Sequence, residues 1–231
     1  MSSLLKILEN EVQIAALAFM GVVYSVRLAW VFRFKIGRDR TLPAGNGRSG
    51  AGYSLMSIAM PWAMESTRKR PGRYLEFVVF HLGIAAAIAA SFIIPYGPGL
   101  FETAWVRASF QAIIAAAGFV GLVRLARRLT NPVLRAISTP DDYFSLILLI
   151  VWLAAGVLAA PNRPQAGEGP LAAFFGLTAF FLVYVPFSKI SHYLYYPFTR
   201  IYLGRALGRR GAWPPAAAKA AGARPAGEDA A

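Results

Sequence analysis

Apolar residues in this chain fall into blocks of about twenty, the length an α-helix needs to cross roughly 30 Å of hydrocarbon. Five blocks stand out: Val12 to Phe34, Tyr74 to Tyr96, Trp105 to Leu125, Tyr143 to Ala160, and Leu171 to about Tyr196. Helix-breaking residues punctuate them: Gly97-Pro98-Gly99 follows the second block, Asn131-Pro132 lies in the next connection, and Pro161-Asn162-Arg163-Pro164 follows the fourth. The pattern predicts an all-α membrane protein, a five-transmembrane-helix bundle over 12–210, preceded by a short N-terminal segment, 1–11. A long loop over 35–73 joins the first two spans. Within it, Arg38 to Gly52 is rich in Gly, Arg and Pro and predicts irregular chain. Tyr53 to Met64 is apolar but too short to span, and it carries Pro61; it predicts a piece lying along the inner interface or folded under the bundle. Residues 211–231 predict a disordered cytoplasmic tail, since from Ala216 onward they are Ala, Pro, Gly and charge.

Composition agrees with the membrane class: 57% of the 231 residues are hydrophobic and 15% charged, with a mean hydropathy of +0.49. The net charge of +13 does not point to nucleic acid, because the basic surplus lies in short connections between apolar spans. The connection from Arg33 to Arg73 and the one holding Arg124, Arg127, Arg128 and Arg135 are basic; Gly97 to Ala104 has no Lys or Arg, and the connection after the fourth span has only Arg163. By the positive-inside rule the N-terminus faces out and the C-terminus faces the cytoplasm. Glu9 and Glu11 precede the first span and no small-residue cleavage motif follows it, so this span is expected to remain in the mature protein. With no cysteine, the chain has no thiolate for zinc or for an iron-sulphur cluster, and any such cluster belongs to a partner.

The only two histidines, His81 and His192, both fall in apolar spans, where an ionisable group is a functional hypothesis by default. Span two runs outwards and places His81 roughly 9 Å from the cytoplasmic end; span five runs inwards and places His192 roughly 6 Å from the same side. Two imidazoles at one level suit the axial positions of a b-type haem. Small residues flank both, Ala85 at i+4 and Ser188 at i−4. The same pair reads equally as two lone interhelical hydrogen-bonding groups. Two histidines without a nearby acid or thiolate make a poor zinc or copper site. Arg27 and Lys189 lie near the same depth; each suits a haem propionate, or snorkels to the headgroups. Tyr193, Tyr195 and Tyr196 read as an interfacial aromatic belt.

Three segments then form an ordered set. Phe80-His81-Leu82-Gly83-Ile84, Arg135-Ala136-Ile137-Ser138-Thr139-Pro140-Asp141-Asp142 and Pro186-Phe187-Ser188-Lys189-Ile190-Ser191-His192 resemble, in order and by helix, the gamma subunit of respiratory nitrate reductase, a five-helix cytochrome b that oxidises quinol. The resemblance covers roughly Tyr74 to Pro197. It implies one haem b with His81 and His192 as axial metal ligands, because the positions corresponding to that family's outer histidine pair are Ser91 and Phe174, which cannot ligate iron. Tyr193 to Pro197 and the long first inner loop look more like related cytochromes b associated with heterodisulfide-reductase-type iron-sulphur proteins.

The resemblance thus implies a quinone-reactive electron-transfer subunit of an oxidoreductase complex, rather than an enzyme alone. It would sit in a bacterial or archaeal cytoplasmic membrane, with an iron-sulphur subunit on its cytoplasmic face, membrane lipid around it and quinone as mobile substrate. With no outer haem, an outer quinone site would lie most of a bilayer from the iron, so the site is expected close to the haem, lined by Tyr53 to Met64. The rival reading is a haem-free membrane anchor or assembly subunit. A transporter is disfavoured, since neither an inverted repeat nor a pair of broken helices is visible.

Overall fold

In a computed structural model, which describes residues 2–34, 37 and 40–215, every regular element among the described residues is helical. In chain order they are α1 (Ser3–Glu9), α2 (Glu11–Arg33), α3 (Gly47–Met56), α4 (Glu65–Lys69), α5 (Pro71–Tyr96), α6 (Gly99–Glu102), α7 (Ala104–Thr130), α8 (Pro132–Ala136), α9 (Pro140–Ala159), α10 (Gly169–Tyr184) and α11 (His192–Arg209). Five segments are long and apolar enough to cross a membrane: Ser3–Arg33, Pro71–Tyr96, Ala104–Thr130, Pro140–Ala159 and Gly169–Phe187. The chain is therefore a multi-pass membrane protein whose spans contact lipid. The chain divides into two compact units, Met1–Ala29 with Gly72–Ser191 and Trp30–Pro71 with His192–Ala231.

The first unit is a span bundle packed through small residues. A Cβ added at Gly83 of α5 would lie 2.1 Å from the Ala117 Cβ of α7, and one at Gly121 would lie 2.8 Å from Ile150 Cγ1 of α9. Such contacts let backbones approach where lipid leaves little hydrophobic drive between helices. Hydrogen bonds between helices add to them. Gln111 Nε2 donates to Val157 O at 3.0 Å, Trp152 Nε1 to Thr178 Oγ1 at 2.9 Å, and Gln13 Nε2 to Phe175 O at 2.8 Å. Outward-facing Val26, Phe119, Leu158 and Phe180 are 64%, 68%, 64% and 47% exposed. In water that exposure would be a liability; against acyl chains it is the expected surface.

The second unit is built on α3 and α11, whose backbones meet at glycines. A Cβ on Gly50 would sit 2.3 Å from Gly204 O, and one on Gly208 would sit 2.6 Å from Asn46 O. Asn46 caps α3, its Oδ1 accepting from Arg48 N and Ser49 N. Arg200 of α11 donates to Ser54 O at 3.0 Å and Ser57 Oγ at 2.6 Å, while Trp213 packs on Tyr53 and beneath the Arg200 guanidinium.

Several expectations change here. The segment 1–11 contains α1, with Leu5 in the core, because Ser2 caps it and α2 follows one residue after it. The supposedly irregular stretch up to Gly52 is helical from Gly47, because its glycines serve a helix crossing rather than a turn. The tail is ordered through 215 by the Trp213 contacts; its remainder, 216–231, lies outside the described residues, as do 35, 36, 38 and 39. The fifth span is the largest correction. It does not run to Tyr196: α10 ends at Tyr184, and 3-10 turns at Val185–Phe187 and Lys189–Ser191 follow. Pro186 brings no backbone N–H, Ser188 is extended (φ −101°, ψ 171°), and the Ser188 and Ser191 hydroxyls donate to the carbonyls of Val185 and Ser188, taking acceptors a continuing helix would use.

Replacing Gly83 with Leu therefore should lower thermal stability in detergent by about 1–3 kcal/mol. Gly118→Ala, whose added Cβ would meet its nearest neighbour, Leu153 Cβ, at an ordinary 3.8 Å, should leave it within about 0.5 kcal/mol. Equal melting shifts for the two variants would show that the α5–α7 approach does not hold the bundle.

Candidate functional site

His81 stands on α5 in a stripe with Ala85, Ile88 and Phe92, spaced four, three and four residues apart and all exposed on the chain. The opposite stripe, Gly83, Ala87, Ala90 and Ile94, is buried. One turn back, the Phe77 carbonyl lies 2.8 Å from His81 Nδ1. A carbonyl can only accept, so Nδ1 carries the proton and the lone pair is on Nε2. The Phe77 ring tilts against the imidazole at 4.2 Å, and Phe80 meets it edge-on at 6.1 Å. This is the arrangement that orients a metal-binding histidine, its second nitrogen donating to a backbone oxygen. Because α5 begins at Pro71, His81 lies ten residues into the helix, about 15 Å along it.

His192 is placed differently from expectation. It is the first residue of α11, exposed, with Tyr193 edge-on at 6.5 Å, and it belongs to the second unit while His81 belongs to the first. Ser188 accordingly is not a helical turn before it; Ser188 is a buried residue of the break.

Lys189 meets an acid. Its Nζ donates at 2.9 Å to both Asp142 Oδ2 and Thr139 Oγ1. The same Oδ2 accepts from Thr139 N at 2.7 Å, forming with the Thr139 side chain the capping box that starts α9, and Arg128 Nη1 approaches it at 3.8 Å. Arg128 also donates to Ser138 Oγ at 2.6 Å. One carboxylate thus ties together the end of α7, the start of α9 and the break after α10. Beside it, Tyr184 donates to Asp141 Oδ1 at 2.6 Å and pairs with Ser145 Oγ at 2.8 Å. Arg27 lies with its guanidinium 5.5 Å over the Phe187 ring, next to that break.

Phe174 is fully buried and stacked on Trp152 at 5.9 Å. Ser91 donates to Ile88 O at 2.7 Å. Tyr53 to Met64 is occupied by α3 and two 3-10 turns, with Tyr53 OH donating to Ala63 O and Tyr196 OH to Leu55 O. Among the described residues no three His, Asp or Glu side chains gather as a metal site.

Sequence reasoning quoted Thr139, Asp142 and Lys189 without joining them. The capping box Thr139-x-x-Asp142 was legible; the cation that closes it comes from 47 positions away and was not. It also passed over the Glu76–Arg127 ion pair at 2.6 Å and the Gly204-x-x-x-Gly208 spacing, which signals close helix packing.

Fold and site define an all-helical multi-pass membrane protein. No family model matches the chain, and no solved structure matches it. It is 27% identical over 200 residues to a protein of Nitratidesulfovibrio vulgaris (strain Hildenborough) named simply "Protein", an alignment covering 81% of this chain and 86% of that one.

Asp142→Ala should cost about 1–3 kcal/mol of thermal stability, because it removes a helix cap and strands two cations. Lys189→Ala, whose side chain is 57% exposed, should cost under about 1 kcal/mol. The reverse order in a detergent melt would show that the network is not centred on Asp142.

Proposed function

We propose that the chain is the membrane-anchor subunit of a respiratory redox complex, a b-type cytochrome with one haem bound by His81 and His192. The observation that carries the reading is the His81 imidazole on the outer stripe of α5, its Nδ1–H held by Phe77 O and its Nε2 lone pair fixed by that bond. The residues on the His81 side fit the group: Ala85 leaves room beside the ring and Phe77 and Phe80 set its plane. The second imidazole of this reading is His192, exposed at the start of α11 in the second unit.

When bound, the haem supplies reversible one-electron chemistry. The chain's own residues bind and orient. His81 donates its Nε2 lone pair, and the Phe77 carbonyl keeps the proton on Nδ1. Arg27 offers a guanidinium to a propionate; Lys189 does so only by leaving Asp142, and otherwise holds the break that precedes His192. Electrons pass between quinone and an iron-sulphur subunit on the basic side, in a bacterial or archaeal cytoplasmic membrane with the N-terminus out and the C-terminus in. The quinone site belongs near the haem, against the Tyr53 to Met64 segment. A haem-free anchor is the second reading, favoured by the separate units to which the two histidines belong.

The pyridine haemochrome of purified protein separates the readings. About one b-type haem per chain is expected, lost in His81→Ala and in His192→Ala and kept in Ser91→Ala; a wild-type preparation without haem, or either histidine variant with a normal spectrum, overturns the cytochrome. Quinone analogues should shift the haem's redox titration, and an unaltered titration removes the quinone site. Because the chain lacks cysteine, orientation is testable with single exposed thiols. A membrane-impermeant maleimide should label Gln165→Cys in intact cells and Ser49→Cys only after permeabilisation; the opposite pattern reverses the topology.

A further inference from the structure

Where α5 finishes and α7 begins, a polar cavity of about 220 Å³ opens at the end of the first unit. Its walls come from three connections: Pro98 and Phe101 in and before α6, Arg107 one turn into α7, and the Pro161-Asn162-Arg163 turn after α9. Each wall is fixed. Phe101 is buried (2% exposed) and meets Phe110 edge-on at 5.1 Å, which seats α6 on α7. The Phe101 carbonyl accepts from Arg107 Nη1 at 2.9 Å, so that guanidinium is aimed rather than floating. Asn162 takes the left-handed conformation, φ 48°, a turn that asparagine tolerates and that brings Arg163 to the cavity.

The charges do not cancel. Two guanidiniums and one carboxylate, Glu102, line the space, and among the described residues neither arginine forms an ion pair with Glu102 or any other acid. This is also the end of the bundle whose connections are otherwise poor in Lys and Arg, so a general basic bias does not explain two arginines at one cavity. The cavity is smaller than the roughly 300–1,000 Å³ of drug-sized pockets, and guanidiniums match tetrahedral oxyanions through paired N–H donors.

We propose that this cavity is an oxyanion site, in which Arg107 and Arg163 hold a phosphate group with the Asn162 amide beside it, while Glu102 weakens the binding by like charge. Phosphate can arrive there as an anionic phospholipid headgroup at the membrane edge or as a free ion. The site is independent of the haem reading, since it uses neither His81 nor His192.

The test uses the full chain purified in detergent. Native mass spectrometry after exchange into micelles containing phosphatidylglycerol, and thermal melts titrated with inorganic phosphate in lipid-free detergent, are compared for wild type, Arg107→Gln/Arg163→Gln and Glu102→Gln. A phosphatidylglycerol adduct that the double variant loses by about tenfold or more identifies the lipid headgroup. Stabilisation by inorganic phosphate that vanishes in the double variant, without a lipid adduct, identifies the free ion. If the double variant does not fold, Glu102→Gln decides alone: stronger retention or a larger phosphate-induced shift than wild type supports the site. No adduct and no stabilisation in wild type, or binding unchanged by the substitutions, overturns it.

Discussion

Hydrocarbon gives a helix nothing to hydrogen-bond and little reason to leave lipid for another helix, and the architecture of the span unit follows from how that constraint is met. Backbone polar groups are satisfied within each helix. Association then rests on close approach and on a few polar bonds between helices. Gly83 against Ala117 and Gly121 against Ile150 bring α5, α7 and α9 together; Gln111, Trp152 and Gln13 add directed bonds at the same interfaces. The large side chains pack in two roles. Phe174, Phe175 and Leu153 are fully buried, whereas Phe119 and Leu158 face outwards, because apolar surface facing acyl chains carries no penalty.

The same constraint explains where charge is found. Among the described residues of the span unit the ion pairs sit at or near helix ends: Glu76 with Arg127, and Asp142 with Lys189 and Arg128. Asp142 combines three tasks in one oxygen, capping α9, receiving Lys189 and drawing Arg128 near. Removing Asp142 leaves all of its partners without their shared acceptor, whereas removing the half-exposed Lys189 leaves the capping box in place. That is why it is a structural joint before it is anything else. The position of Lys189 in the joint also argues against a simple propionate role, because its ammonium already has a carboxylate at 2.9 Å.

Much of this was legible in the sequence and some was not. Span count and span centres follow from apolar runs because hydrocarbon thickness sets helix length. The end of the fifth span was not legible, because Val185 to Tyr196 remains apolar and aromatic while its helix breaks locally: the break comes from Pro186 and from serine hydroxyls competing for carbonyls, which hydropathy does not register. The loop over 35–73 was misread for a related reason. Glycine usually marks turns, yet Gly47 and Gly50 line a helix whose partner, with Gly204 and Gly208, is some 150 positions away in sequence. His81 was found by rarity; its tautomer, set by Phe77 O, required geometry.

The second unit carries a charge imbalance of its own. Among its described residues Arg33, Arg40, Arg48, Arg68, Lys69, Arg70, Arg200, Arg205, Arg209 and Arg210 stand against a single acid, Glu65. A positive-inside bias needs cations near span ends, but Arg205 and Arg209 are exposed on α11 beyond any span, while Arg200 is spent internally on Ser54 and Ser57. Gly204 and Gly208 press one face of α11 against α3, and the exposed Arg205 and Arg209 flank that contact. The helix pair therefore works as a scaffold that gathers positive charge within the second unit. Such a concentration of like charge sets up a local field that salt screens within about 8–10 Å at ordinary ionic strength.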